Sequence, residues 1–171
     1  MKTILLALTS ILIPLTHAVG NAIILNNCNE TTVYVWSVGS SIGKTQTLHR
    51  GENFTEEFHY DSTSGGITLK LTTERGGIYQ NSPETDYSYT LDTNTTSVWY
   101  DISDVNGDPF ANNTVALIPD SDACESFVWQ DGVPPSGIHT ASCNADGDVK
   151  LILCQGSEFS VGMEEAGDWY L

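Results

Sequence analysis

The chain has 171 residues, of which 22 are acidic and 6 are lysine or arginine, a formal charge of −16 with a pI near 4.2. A field of that sign repels nucleic acid and anionic lipid, which excludes both as partners. It suits solubility in acidic medium or a cationic partner, and most of it reads as solvated surface.

Met1-Lys2 and the apolar run Ile4 to Leu15 are followed by the small residues of Thr16-His17-Ala18. This is the pattern of a signal peptide, residues 1–18, with cleavage before Val19 or, through Gly20, before Asn21. The run is too short to span a bilayer. Loss of Lys2 with the leader takes the charge from −16 to −17. The remaining chain is long enough for one domain, expected over 19–155, and an acidic tail over 156–171 that carries Glu158, Glu164, Glu165 and Asp168. That tail lacks the apolar stretch of a lipid-anchor signal, so soluble export to the medium or the cell wall is expected.

The elements after the leader read as strands. Thr31 to Trp36 is a β-branched and aromatic run that fits a pleated surface. Ile67, Leu69 and Leu71 alternate with Thr68, Lys70 and Thr72. Val98, Tyr100 and Ile102 alternate with Trp99, Asp101 and Ser103. Val115 to Ile118 and Phe127 to Trp129 are short apolar runs, and Val149, Leu151 and Leu153 close the series. Gly65-Gly66, Gly76-Gly77, Asn106 to Pro109, Asp131 to Pro135 and Asp146 to Asp148 punctuate them with turn chemistry. No stretch holds helical apolar spacing, so an all-β antiparallel sandwich or barrel is expected.

Cys28, Cys124, Cys143 and Cys154 are an even set in an exported chain and read as two disulfides, with three pairings open. Their spacing, and the isolation of His49, His59 and His139, argue against zinc. Asn29, Asn53, Asn94 and Asn112 each precede a threonine by two positions, the acceptor pattern for N-glycosylation.

The catalytic patterns fail one by one. Gly39-Ser40-Ser41-Ile42-Gly43 has the spacing of a nucleophile elbow, but Lys44 to Leu48 makes a poor helix and a glycine-serine turn explains the same residues. Asp104, Asn106 and Asp108 alternate like the start of a calcium loop, yet Pro109 replaces the required glycine and Val115 the bidentate glutamate. A turn in which Asn and Asp cap their own backbone accounts for them. Cleavage before His17 would expose the N-terminal histidine of a copper-dependent oxidase, but Thr16 and Pro14 suit the peptidase poorly. A glycosidase carboxylate pair needs a defined separation that abundant acids do not supply by themselves. Neither catalytic residues, a metal nor a cofactor is expected.

Gly20 to Cys28, Val33 to Gly39, Ser64 to Ile67, Trp99 to Phe110 and Cys124 to Trp129 resemble, in order and spacing, the blastomyces yeast-phase-specific protein family of fungi. The resemblance covers roughly Gly20 to Cys154 and implies a secreted or wall-associated protein without an established activity. More distantly, the same blocks resemble thaumatin-like proteins, which implies a β-sandwich whose first cysteine joins its last. On that ground we expect Cys28 with Cys154 and Cys124 with Cys143, against a Cys143–Cys154 link that would only staple a hairpin. The resemblance also raises glucan binding in an acidic cleft. Asp101 stands where one cleft aspartate falls, but Asn106 and Ser88 replace acids, no arginine aligns, and the cysteine-rich signature is missing.

The sequence therefore reads as a secreted, non-catalytic fungal glycoprotein whose partner is polysaccharide or a secreted or host protein. A glucan-directed hydrolase and a structural wall component are the rival readings. On a strand between Tyr100 and Ile102, Asp101 is expected to accept hydrogen bonds from backbone or Ser103.

Overall fold

A computed structural model describes residues 18–156. The expected leader, apart from Ala18, and the expected acidic tail, apart from Gly156, lie outside the described residues.

The chain forms eleven strands in the described region: β1 Asn21–Asn26, β2 Val33–Val38, β3 Gln46–Leu48, β4 Asn53–Glu57, β5 Ile67–Thr72, β6 Glu84–Asp92, β7 Ser97–Val105, β8 Thr114–Pro119, β9 Phe127–Trp129, β10 Thr140–Asn144 and β11 Val149–Gln155. A single 3₁₀ turn, Gly77–Tyr79, interrupts the described strands. The strands make two sheets, ordered β4-β1-β11-β8-β9 and β10-β7-β6-β5-β2-β3. This is the all-β sandwich that the alternation and the resemblances imply. Every turn cluster read from the sequence falls between strands.

Alternation decides which side chains go inside. Ala22 and Ile24 from β1, Leu69 and Leu71 from β5, Tyr87 and Tyr89 from β6, and Leu117 and Leu151 from β8 and β11 meet in one buried core. At roughly 1.5–3 kcal/mol for each fully buried large apolar side chain, this layer supplies the main force holding the sheets together. Two tyrosines reach across it. Tyr87 donates from Oη to the carbonyl of Val149 at 3.1 Å, and Tyr89 Oη lies 2.6 Å from Glu56 Oε1. Burial, then the hydrogen bond to Glu56, pushes the Tyr89 phenol up, so it remains the donor.

One pairing departs from the antiparallel expectation: β1 and β11 run parallel, Ala22 opposite Val149 through Asn26 opposite Leu153. The two strands end side by side, and the structure joins Cys28, just past β1, to Cys154 near the end of β11, with Cα atoms 4.8 Å apart. Cys154 takes a positive φ of 54° at a bulge between Leu153 and Gln155, which turns its sulfur toward Cys28 rather than across the ladder. The second link, Cys124 to Cys143, ties the segment before β9 to β10 and so connects edges of different sheets.

Five strands escaped the sequence reading: β1, β3, β4, β6 and β10. The longest, β6, alternates from Thr85 to Thr90, with Thr85, Tyr87 and Tyr89 buried and Asp86, Ser88 and Thr90 turned out. Its polar face hid the tyrosines between.

Candidate functional site

The outer face of the six-stranded sheet is built from the residues that alternate with the core. Register places Thr68, Ser88, Asp101 and Thr140 in one row across β5, β6, β7 and β10. Thr90, Trp99 and Ser142 form the next row toward one end, and Trp36, Lys70, Asp86 and Ser103 the next toward the other. Trp36 is buried, so Trp99, 51 % exposed, is the large aromatic these rows present to solvent. Depressions of about 620 Å³ over β2–β6 and about 120 Å³ over β6–β10 meet at Ser88, Tyr89 and Thr90. Together they make a shallow trough across the strands. Gly66 helps keep it open, since a Cβ there would press on Thr90 Oγ1 and the Tyr89 carbonyl.

Within the trough two cross-strand hydroxyl contacts are made. Thr68 Oγ1 and Ser88 Oγ share a hydrogen bond of 2.9 Å, and Thr140 Oγ1 donates to Asp101 Oδ2 at 2.7 Å. Asp101 thus bonds across to the edge strand, not to Ser103 or backbone as the sequence suggested. Thr140 is its direct cross-strand partner, whereas Ser103 lies two residues along the same strand.

Beside the trough, Lys70 Nζ reaches Glu84 Oε1 at 2.7 Å and Asp86 Oδ2 at 2.9 Å. Burial alone would lower Lys70; its bonds to Glu84 and Asp86 outweigh that and raise it. One ammonium shared by two carboxylates does not satisfy both. Burial therefore lifts Asp86 above the usual carboxylate range, with Glu84 and Asp101 adding like charge and Lys70 only partly opposing.

At the far end of β7, Asp104 turns inward and accepts from Thr85 Oγ1, while its Oδ2 is buried without a partner. Burial, with the Asp108 carboxylate alongside, pushes Asp104 up to about 7, against the pull of Thr85. Asn106 and Asp108 do not cap their own backbone as expected; Asp61 and Asp92 are the aspartates that do so. Asp61 takes the Ser40, Thr63 and Ser64 amides, and the Ser40 amide above all holds its carboxyl well below the usual range. Asp92 accepts from the Asn94 amide.

The glycine-serine segment is a tight turn. Ser40 Oγ donates to Asp61 Oδ2 at 2.7 Å, Gly43 N–H donates to the Ser37 carbonyl, and among the described residues no histidine bonds either serine. No group of three or more His, Cys, Asp or Glu side chains poised for a metal occurs among the described residues.

The four acceptor asparagines are exposed. Asn29, Asn53 and Asn112 lie near the Asn26–Leu153 end of the five-stranded sheet, and Asn94 in the turn between β6 and β7. None stands on the outer face of the six-stranded sheet.

Residues 9–155 match the Blastomyces yeast-phase-specific protein family. The chain belongs to that family. The same family resemblance extends to an antigenic thaumatin-like protein of Arthroderma benhamiae, 31 % identical across 91 % of this chain and 84 % of the relative. Among solved structures, the protein elicitor MoHrip2 of Magnaporthe oryzae aligns with a TM-score of 0.65 and 27 % identity, over 80 % of this chain and 99 % of that one. A thaumatin-like xylanase inhibitor aligns with a TM-score of 0.51 and 14 % identity, over 78 % of this chain and 99 % of its own, which speaks to fold. For this member of the Blastomyces family the register explains the departure noted in the sequence. Ser88, where the thaumatin resemblance expects an acid, sits directly opposite Asp101, and Asn106 lies beyond the end of β7. Sequence reasoning found Asp101 and Trp99 on one face but missed Lys70, Glu84 and Asp86 as a cluster. The alternation of Glu84, Asp86, Ser88 and Thr90 was the signal that could have found it.

Proposed function

We propose that this chain is an exported, N-glycosylated, non-catalytic fungal protein that binds cell-wall polysaccharide through the outer face of its six-stranded sheet. The observation that carries this is an exposed Trp99 standing beside a row of hydroxyls and a carboxylate along a shallow trough. An aromatic plane with a few fixed polar groups suits a sugar, whose faces are apolar and whose edges are polar. Neighbouring strands lie about 4.8 Å apart, close to the advance per sugar in an extended glycan, so a polymer crossing the strands meets each strand in step.

Export is supported by the leader pattern and by two disulfides, which persist in oxidising compartments. In this reading residues 1–18 are removed, 19–155 form the domain and 156–171 a tail. The four exposed asparagines carry glycans that leave the binding face clear. Non-catalysis is supported by Ser88 opposite Asp101, where the thaumatin resemblance expects an acid, and by Lys70, which holds the neighbouring Glu84 and Asp86 in ion pairs. A host or secreted protein as partner is the second reading, favoured by the 27 % identity with an elicitor.

The test is binding of the purified protein to a polysaccharide array, with Trp99→Ala as comparison. We expect binding to wall polymer that falls at least about tenfold in the variant while its melting temperature stays unchanged. No binding to any polysaccharide, or indifference to Trp99, overturns the reading. Sugar released from β-1,3-glucan and abolished by Asp101→Asn in a folded protein overturns the non-catalytic part.

A further inference from the structure

Resting on that reading of the face, we propose that it selects a cationic amino-sugar polymer, of the glucosamine type, over a neutral glucan. The argument is one of hydrogen-bond supply. A neutral sugar hydroxyl is served by donors and acceptors alike. On this face two hydroxyl protons are held: one of the pair Thr68 and Ser88 donates to the other, and Thr140 donates to Asp101. The Lys70 ammonium is turned to Glu84 and Asp86. The strongest acceptor left free is a charged one, Asp101 Oδ1, which has no hydrogen-bond partner among the described residues. A ligand that brings donors suits it, and an ammonium brings three.

Charge points the same way. The rows around the trough hold Glu84, Asp86 and Asp101 against Lys70 alone, within a chain of formal charge −16. Asp101 is the carboxylate of the three that Lys70 does not touch, and the trough passes over it. It stands two residues from Trp99 on one strand face, about 7 Å along the strand. A pyranose lying on the indole thus places an amine on its ring within reach of Asp101, and the ammonium also gains from the negative face of the ring. N-acetylation removes both the charge and two of the three donors.

The experiment is calorimetric titration of the full glycosylated protein with three probes at about pH 5.5, where a sugar amine is protonated: a glucosamine hexamer, its fully N-acetylated form and laminarihexaose. The inference expects the glucosamine hexamer to bind at least about tenfold tighter than either neutral probe. Raising the salt should weaken that probe alone, because the added attraction is between charges. Asp101→Asn, which keeps an acceptor for Thr140, should bring the three affinities to within about threefold of one another. Equal affinity for charged and neutral probes in the wild type overturns the selection while leaving the polysaccharide reading intact. No binding of any probe overturns both. A preference untouched by salt and by Asp101→Asn overturns the role of Asp101.

Discussion

The two sheets of the sandwich share one core and differ on their outer faces. The six-stranded sheet turns out hydroxyls, carboxylates, Lys70 and Trp99. The five-stranded sheet turns out Leu25, Ile152, Ala116 and Val128 in a single row, with Ile23 and Ile118 beside Lys150. Pairing differs in parallel with this. The six-stranded sheet is antiparallel throughout, whereas the five-stranded sheet joins the first described strand to the last and is clamped by Cys28–Cys154. The lesson is a division of labour: one sheet holds the chain closed with aliphatic residues on both sides, and the other carries a polar outer face.

Removing the clamp tests that division most severely. The double change Cys28→Ser with Cys154→Ser opens a closure spanning 126 residues, and by the chain-entropy account costs about 4–5 kcal/mol. Denaturant titration should show the loss. Whatever protein remains folded should keep its polysaccharide affinity, and a parallel fall in affinity would mean that the two sheets are not independent.

A smaller effect is expected on the polar side. Lys70→Met leaves Glu84 and Asp86 facing each other without their ammonium. With Lys70 about a quarter exposed, 26 %, solvent screening cuts the penalty of a fully buried pair to about 1–2 kcal/mol. The loss should shrink in acid as the carboxylates take up protons. A constant loss from pH 8 to pH 4 would show that packing, not charge, sets it.

The smallest effect has the opposite sign. Asp104 is pushed up to about 7 in the fold from an ordinary 3.8, so the folded state holds a proton that the unfolded chain releases between those values. Stability therefore rises as pH falls from about 7 toward 4 and is lost again as pH climbs through 7. Asp104→Asn should flatten that slope and raise stability at pH 8 by about 1 kcal/mol, a value already discounted for the solvent the group still meets. Melting curves at pH 4 and pH 8 check it, and an unchanged slope would remove Asp104 as its source.

How much of the molecule was legible in the sequence tracks the same divide. Leu69, Leu71, Tyr100 and Ile102 announce themselves because their neighbours are polar, so the period of two stands out. β1 and β11 are harder: their aliphatic residues face both ways, and β1 reads as an apolar run without a period. β3 and β10 are short and polar at the sheet edges, where propensity carries little weight beside pairing with a longer strand. The pairing of the cysteines came from the family resemblance, since spacing alone leaves three solutions. At the candidate site, Trp99 and Asp101 could be placed on one face from alternation. That Lys70 serves Glu84 and Asp86 could not, because those contacts depend on the register of β5 against β6, fixed by the whole sheet rather than by any local pattern.

The parallel pairing of β1 with β11 also sets an order of events in the cell. β11 lies between β1 and β8, in the middle of its sheet, yet it is the last described strand to leave the ribosome. Until it arrives, β1 and β8 have no common neighbour, and Cys28 lacks its partner. In the six-stranded sheet the pairs β2-β3, β5-β6 and β6-β7 join strands that follow one another in sequence, and such local pairings form readily. The five-stranded sheet is therefore completed only by its last described strand, and the same arrival brings Cys154 to Cys28.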